Sequence, residues 1–197
     1  MDALDISMLT MEQLLDIIGG TKKSSKNFFI CSDVHWGDKP LTREPYRANA
    51  AAFVLCSQGE MSLSIGIRKH VLRKDTIMLY GPGNIIEVYE RSNDFQAHLL
   101  VFTREFTQGA LLDLQAAMPI YQYLTEESND FLHLEHDEAA ILEDYIALVN
   151  NIVDKYNDAA VYNLIASMFR TVSDMYSRRI AQMETNKPRT RGEDYFE

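Results

Sequence analysis

The sequence predicts an α+β fold, in which an antiparallel β-barrel is followed by a C-terminal antiparallel helical pair. Short apolar runs recur between Phe53 and Phe102 at nearly regular spacing, and turn residues separate them. After about residue 105 the apolar period changes from two to that of an α-helix. Two long amphipathic segments then meet at Asn157-Asp158, so the second is expected to fold back on the first.

The predicted strands rest on alternation and on turn chemistry. Met61, Leu63 and Ile65 alternate with Ser62 and Ser64, which predicts a strand with one buried and one wet face. A first strand is expected over 27–34. The turns are expected at residues that tolerate positive φ or preset a bend: Gln58-Gly59, Gly66, Lys74-Asp75, Gly81-Pro82-Gly83 and Ser92-Asn93-Asp94.

Four regions follow along the chain. Residues 1–26 are predicted to form an N-terminal arm with one short amphipathic piece, and residues 27–104 the barrel. Residues 105–185 are predicted to be helical, with one helix over 106–118 and longer ones over 136–156 and 159–183. Residues 186–197 are expected to be a basic linker and the start of a further domain.

One helical stripe is a candidate dimer seam. Its apolar residues are spaced by three, four, three and four positions, the narrow pattern that one helix presents to another. They are Tyr162, Ile165, Phe169, Val172 and Tyr176. The pattern predicts a homodimer through the C-terminal helices; the alternative is that the stripe belongs to the core of a single domain.

Charge and composition exclude several classes of protein. The net charge of −10 makes the chain a poor binder of nucleic acid, whose affinity depends on Lys and Arg. No apolar run approaches the length of a membrane span, and the first residues lack a basic signal-peptide start, so a cytoplasmic location is expected. Cys31 and Cys56 lie in apolar runs and are interpreted as buried, reduced thiols.

Several local patterns together resemble a known family. They are a Pro45-Tyr46-Arg47 lead-in, the strand 52–57 with its Cys56, Gly59 before the next hairpin, and the turn over 80–87. In these features the chain resembles the sensor half of AraC-type transcriptional regulators. The resemblance implies a cupin-like jelly roll that holds a small-molecule effector and helices that dimerise. It also implies DNA binding only through a missing C-terminal helix-turn-helix domain.

The cupin resemblance raises the question of a metal, because many cupin enzymes bind one through histidines and a glutamate. The corresponding stretch here offers only His70, and the position after Pro82-Gly83 reads Asn84-Ile85-Ile86. An isoleucine cannot donate an electron pair, so no metal, no cofactor and no enzymatic activity are predicted. His133 and His136 are interpreted as exposed residues at a helix entrance.

Ligand contacts are expected from amphipathic or charged side chains near strand starts, since barrel pockets are mostly apolar with a few polar groups. The candidates are Trp36, Arg47, Tyr80, Tyr89 and His98. Each also has an ordinary structural interpretation, and the parity of His98 is left open. A cyclic-nucleotide-type sensor and a metal-dependent cupin enzyme are the alternative functions, and the sequence lacks the phosphate loop and the ligands that they need.

Overall fold

A computed structural model describes residues 6–18, 21–24, 28–35, 44–103, 105–106 and 131–185. Nearly all of the helix predicted over 106–118, the predicted tail 186–197 and the candidate ligand residue Trp36 lie outside these residues. Within them the fold is α+β, as the sequence predicts.

The described elements begin with the arm. The strands are β1 (Ser7–Leu9), β2 (Thr21–Ser24), β3 (Phe28–His35), β4 (Tyr46–Ala48), β5 (Ala51–Gln58), β6 (Glu60–Ile65), β7 (Arg68–Arg73), β8 (Thr76–Tyr80), β9 (Ile85–Arg91), β10 (Gln96–Phe102) and β11 (Phe131–His133). The helices are α1 (Met11–Ile18), α2 (His136–Ile152) and α3 (Asp158–Thr185).

The strands form two sheets that pack face to face. Sheet A has the order β1-β4-β9-β6-β7, and sheet B has the order β11-β8-β5-β10-β3-β2. All neighbours are antiparallel except β1 and β4, which run parallel. From β7 to β10 each connection crosses from one sheet to the other, which produces a two-sheet roll.

The tight turn between β5 and β6 depends on Gly59. Its φ is +70°, a conformation that residues with a Cβ rarely adopt. A Cβ built there would lie 2.8 Å from the Cα of Phe95, so any larger residue would displace the backbone of the β9–β10 connection. The prediction of a turn at Gln58-Gly59 is confirmed.

Sheet B is buried on both faces, which explains the unbroken apolar run of β5. Phe53 and Leu55 belong to the core between sheet B and the helices, whereas Val54 and Cys56 belong to the core between the sheets. The strands of sheet A pack against the core on one face only. Strand β6 therefore keeps the predicted alternation, in which Met61 and Leu63 point inward.

Side-chain contacts join the two long helices, α2 and α3. The Tyr145 hydroxyl in α2 is hydrogen-bonded to Ser167 at 3.1 Å and to Thr171 at 3.2 Å, both in α3. Glu138 near the start of α2 is paired with Arg179 near the end of α3. Asn157 caps α3 by accepting from the Ala160 backbone N–H at 3.1 Å. The first helix ends at Ile152, earlier than the predicted 156.

The predicted dimer seam needs a correction, because sheet B and the neighbouring helix already cover it. Ile165 and Val172 have no exposed surface, and Tyr176 keeps 3%. The Phe169 ring packs edge-on against Phe53 at 5.8 Å, and Tyr162 packs against Phe106. Three of the five residues of the stripe are thus core of the single chain, whereas Tyr162 and Phe169 are partly buried.

Candidate ligand site inside the two-sheet roll

The region between the two sheets is filled almost entirely by apolar side chains. We call this the interior. Leu63, Leu72 and Leu99 are among the buried residues that line it. In the described part of the chain the buried polar or charged residues are Ser64, Thr76 and Ser173, so no buried cation is present there to hold a phosphate. The interior therefore suits an apolar or amphipathic molecule.

Two tyrosines bring polar groups into the interior at one end. Tyr80, the last residue of β8, is 8% exposed, and Tyr46 in β4 packs against the same core. Burial raises the pKa of Tyr46 to about 12. Burial raises the pKa of Tyr80 well above its ordinary value, and the neighbouring Tyr46 adds to this effect. We call Tyr46 and Tyr80 the tyrosine pair.

The tyrosine pair adds two hydroxyl groups to an otherwise apolar region. A phenol hydroxyl can donate one hydrogen bond and accept others. A molecule in the interior with a hydroxyl or carbonyl oxygen would therefore find complementary groups at this end.

The N-terminal arm closes the same end of the roll. Strand β1 pairs in parallel with β4, with Ser7 opposite Tyr46. Leu14 of α1 is 1% exposed and belongs to the interior core. The Gln13 side chain accepts from the Thr10 backbone N–H at 2.9 Å, which fixes the start of the helix. The arm is thus packed into the roll next to the tyrosine pair.

Of the four predicted ligand residues that lie within the described ranges, Tyr80 is the one that belongs to the interior core. Arg47 follows Tyr46 in β4 and is exposed, as expected for the opposite face of the strand. Tyr89 lies on the outer face of sheet A, where its hydroxyl donates to the Glu87 carboxylate at 3.0 Å and lies 3.1 Å from the Ser64 hydroxyl. That cover also explains why Ser64 is buried although it was predicted to be wet.

His98 is partly exposed and does not point into the interior, which was one of the two orientations that the sequence left open. Its neighbours Ala97 and Leu99 belong to the interior core, so the His98 side chain lies on the opposite face, which the helices cover. The sequence prediction also missed Tyr46. Parity was the available signal: in the Pro45-Tyr46-Arg47 lead-in, adjacent side chains of a strand must point to opposite faces.

The histidines near the start of α2 make ordinary surface contacts. His133 Nδ1 lies 3.3 Å from Thr76 Oγ1, and His136 Nδ1 lies 3.5 Å from Asp75 Oδ2. No three His, Cys, Asp or Glu side chains in the described ranges are grouped so as to hold a metal ion. Nor does any helix in those ranges have the length and apolarity needed to cross a membrane.

Comparison with solved structures gives AraC-like regulators and smaller proteins. The AraC-like transcriptional activator CuxR matches with a TM-score of 0.43 and 14% identity, covering 76% of this chain and 48% of CuxR. Unsaturated fatty acid bound ToxT from Vibrio cholerae matches with a TM-score of 0.46 and 11% identity, covering 80% of this chain and 57% of ToxT.

A putative ethanolamine utilization protein, EutQ from Salmonella typhimurium, matches with a TM-score of 0.29 and 14% identity. It covers 42% of this chain and 66% of EutQ. No protein-family model and no curated protein matches the sequence. This chain spans between about half and three fifths of the length of the matched regulators.

Proposed function

We propose that this chain is the effector-sensing and dimerisation part of an AraC-type transcriptional regulator. In this proposal the roll closes around a small molecule, no reaction is catalysed, and a separate helix-turn-helix domain contacts DNA in the cytoplasm. The acidic chain itself, with a net charge of −10, is unsuited to holding DNA.

The single observation that carries the proposal is that the buried Tyr80 and the partly buried Tyr46 lie beside the arm. Leu14 and Tyr80 belong to the same interior core, and β1 pairs with β4 at Tyr46. A molecule that occupies this end must therefore change the packing of the arm or be enclosed by it. Differential affinity for two arm packings is sufficient for a switch.

The dimer surface in this proposal is the outer face of α2. Ile141 is 44% exposed and Leu148 is 49% exposed, although Leu142, Ile146 and Val149 on the other face are buried. Two exposed apolar side chains seven residues apart lie on one side of a helix. We therefore propose that the dimer contact lies on α2 rather than on α3, and we retain the prediction of a homodimer through the C-terminal helices.

The test measures effector binding by thermal shift against a metabolite panel, followed by titration of each hit. We expect Tyr80→Phe and Tyr46→Phe to weaken a hit about tenfold each, since each removes one hydroxyl from the interior. Tyr89→Phe is the matched control on the outer face and should leave affinity unchanged. Equal affinities in all four proteins would contradict the interior site.

A second measurement tests the regulatory role. The full-length regulator should bind promoter DNA, and the effector found by titration should change that affinity. Leu14→Ala in the full-length protein should alter the effector response more than Met8→Ala, because Leu14 is buried and Met8 is 53% exposed. A full-length protein that binds no DNA would refute the function proposed here.

A further inference from the structure

Strand β7 is the outermost strand of sheet A, and one of its two edges is unpaired in the part of the chain that the structure describes. Sheet A ends in the order β9-β6-β7, so β7 pairs with β6 and with no other described strand. An edge strand presents a row of backbone N–H and C=O groups that a further strand can join. β7 therefore offers an attachment edge to an extended segment.

The register of the β6–β7 hairpin identifies the backbone groups on that edge. The residues on either side of its two-residue turn form a hydrogen-bonded pair, and such pairs alternate along an antiparallel ladder. His70 and Leu72 are thereby bonded to β6. The backbone N–H and C=O groups of Lys69, Val71 and Arg73 point the other way, toward the unpaired edge.

The side chains of the same three residues lie on the outer face of sheet A. Lys69 and Arg73 are exposed, and Val71 between them is 42% exposed. Lys69 Nζ lies 4.9 Å from the centre of the Tyr89 ring, which is on the same face. An added strand would therefore meet a cation, an apolar side chain and a second cation at every second position.

The β6–β7 hairpin is a cationic part of an acidic chain. Residues 61–74 contain four Lys or Arg residues and no Asp or Glu, although the net charge of the chain is −10. The Glu60 carboxylate pairs with Arg73 at 3.3 Å, but both side chains are more than half exposed, so this pair is weak. The edge therefore keeps positive charge that a partner can neutralise.

Two exposed apolar side chains distinguish this edge from one that is only protected against aggregation. Edge strands are often protected by charged side chains alone. Here Ile67 in the turn is 99% exposed, in addition to the exposed Val71. The Gly66 N–H donates to the Ile85 carbonyl at 2.7 Å, which fixes the turn that carries Ile67. Covering these apolar surfaces with a partner would be favourable.

Charge and size together favour a short acidic segment as that partner. DNA or an anionic membrane would face the whole acidic surface of the chain and would be repelled by its net charge of −10. A short segment on the edge is screened from distant charges, because the Debye length is about 8 Å at physiological salt. A second copy of β7 is disfavoured, because its cations would lie opposite those of the first.

We propose that the edge of β7 binds an extended acidic segment of a partner protein, which joins sheet A as a further strand. Lys69, Val71 and Arg73 supply the main-chain hydrogen bonds, and carboxylates of the partner pair with the two cations. An apolar side chain of the partner covers Val71. This surface goes beyond the proposed function, because it uses neither the interior nor α2.

The experiment measures the fluorescence anisotropy of a dye-labelled peptide, Thr-Glu-Thr-Val-Thr-Glu-Thr, during titration with the protein. One face of this extended probe presents a carboxylate, a valine and a carboxylate, which matches Lys69, Val71 and Arg73. We expect saturable binding. The same peptide N-methylated at its valine and both glutamates keeps the side chains but loses the main-chain donors, and it should bind at least about tenfold weaker.

Charge reversal then identifies the surface. Lys69→Glu and Arg73→Glu should each weaken binding about tenfold, because each places a carboxylate opposite a glutamate of the probe. Lys155→Glu is the matched control: Lys155 is exposed in the α2–α3 connection, and its reversal changes the net charge equally. The double variant Lys69→Glu/Arg73→Glu should instead bind the peptide in which lysine replaces both glutamates.

Several results would overturn the proposal. They are no saturable binding of the glutamate peptide, equal binding of its N-methylated form, or an equal loss in Lys155→Glu. A short DNA duplex or phosphatidylserine vesicles that bind through Lys69 and Arg73, while the peptide does not, would assign the edge to a polyanion and refute the peptide site. None of these results bears on the proposed function, which Tyr80→Phe tests separately.

Discussion

The guanidinium of Arg179 is paired with the carboxylate of Glu138, and this contact joins the end of α3 to the first turn of α2. Oε2 of Glu138 also accepts from the Glu135 backbone N–H at 3.0 Å, completing a capping box. His136 beside it contacts Asp75 in the β7–β8 turn. The Glu138 carboxylate thus connects the start of α2 to α3. The nearby His136 connects the same helix start to the turn between β7 and β8.

We expect Glu138→Ala to lower the free energy of unfolding by about 2 kcal/mol, because both a partly buried ion pair and a cap are lost. Glu143→Ala, on an exposed position of the same helix, is the control and should change it by less than about 0.5 kcal/mol. Urea denaturation measures both values. A double-mutant cycle with Arg179→Met that gives no coupling would contradict the pairing.

Leu14→Ala should destabilise the protein by about 2 to 4 kcal/mol, since it removes a side chain that is 1% exposed from the interior. Met8→Ala in the same arm should cost little, because Met8 is 53% exposed. Thermal and urea unfolding provide the comparison. Equal small effects of both substitutions would mean that the arm does not pack into the roll in solution.

Alkaline pH should unfold the protein through the tyrosine pair. Tyrosine is neutral when protonated, and burial raises the pKa of Tyr46 from 10.0 to about 12. Below pH 10 folded and unfolded chains hold the same phenol protons. Above it the unfolded chain releases them first, so stability falls as pH rises from 10 through about 12.

The measurement is urea denaturation between pH 9 and pH 12, values chosen to bracket the two pKa limits. Tyr46→Phe and Tyr80→Phe should each flatten the decline. Tyr156→Phe should not, because Tyr156 is 64% exposed. Ionisation of Cys56 also lowers the free energy of unfolding as pH rises, and it does so in every variant, since burial raises the pKa of its thiol to about 12. Parallel curves for wild type and both tyrosine pair variants would refute the argument.

The outer face of α2 should carry the dimer contact. Ile141→Glu and Leu148→Glu should each shift the protein from dimer to monomer in light scattering, because a carboxylate would be buried at the seam. Val71→Glu is the control: Val71 is 42% exposed but lies on sheet A. A dimer that persists in both α2 variants at micromolar concentration would remove α2 from the interface.

The cysteines should react slowly in the native state. Neither Cys31 nor Cys56 is in a disulfide, both are buried, and the Cys56 Sγ lies 3.3 Å from the Gln58 carbonyl oxygen. Burial shields both thiols, and because the thiolate is the reactive form, the raised pKa of Cys56 further suppresses its modification. Labelling by a disulfide reagent should be at least about a hundredfold slower than in urea. Rapid native labelling would show that β3 or β5 opens.

Local patterns were sufficient for the central strands and the two long helices, because turn residues and apolar periods act within a few positions. They missed β11, which lies in the region predicted to be helical. The alternation in β6, the turn at Gly59 and the two long helices are all legible in the sequence. The acidic first turn of α2 predicted its start within one residue, since caps and dipoles are local effects.

Partners across the fold could not be predicted in this way. The apolar stripe that includes Ile165 and Val172 predicts only that some apolar surface covers it. In the structure, residues of sheet B pack against it. The facing of Tyr46, Tyr89 and His98 depends on strand parity and on the two bulges of β10, which single positions do not reveal.

The sequence by itself determined which segments become strands and helices, because those preferences reside in the side chains and backbone of a few consecutive residues. Only the tertiary structure decided that Tyr46 and Tyr80 share the interior with Leu14, and that His98 lies on the opposite face of sheet B. The physical reason is that burial is a property of surfaces brought together from distant parts of the chain, and no local pattern specifies which surfaces meet.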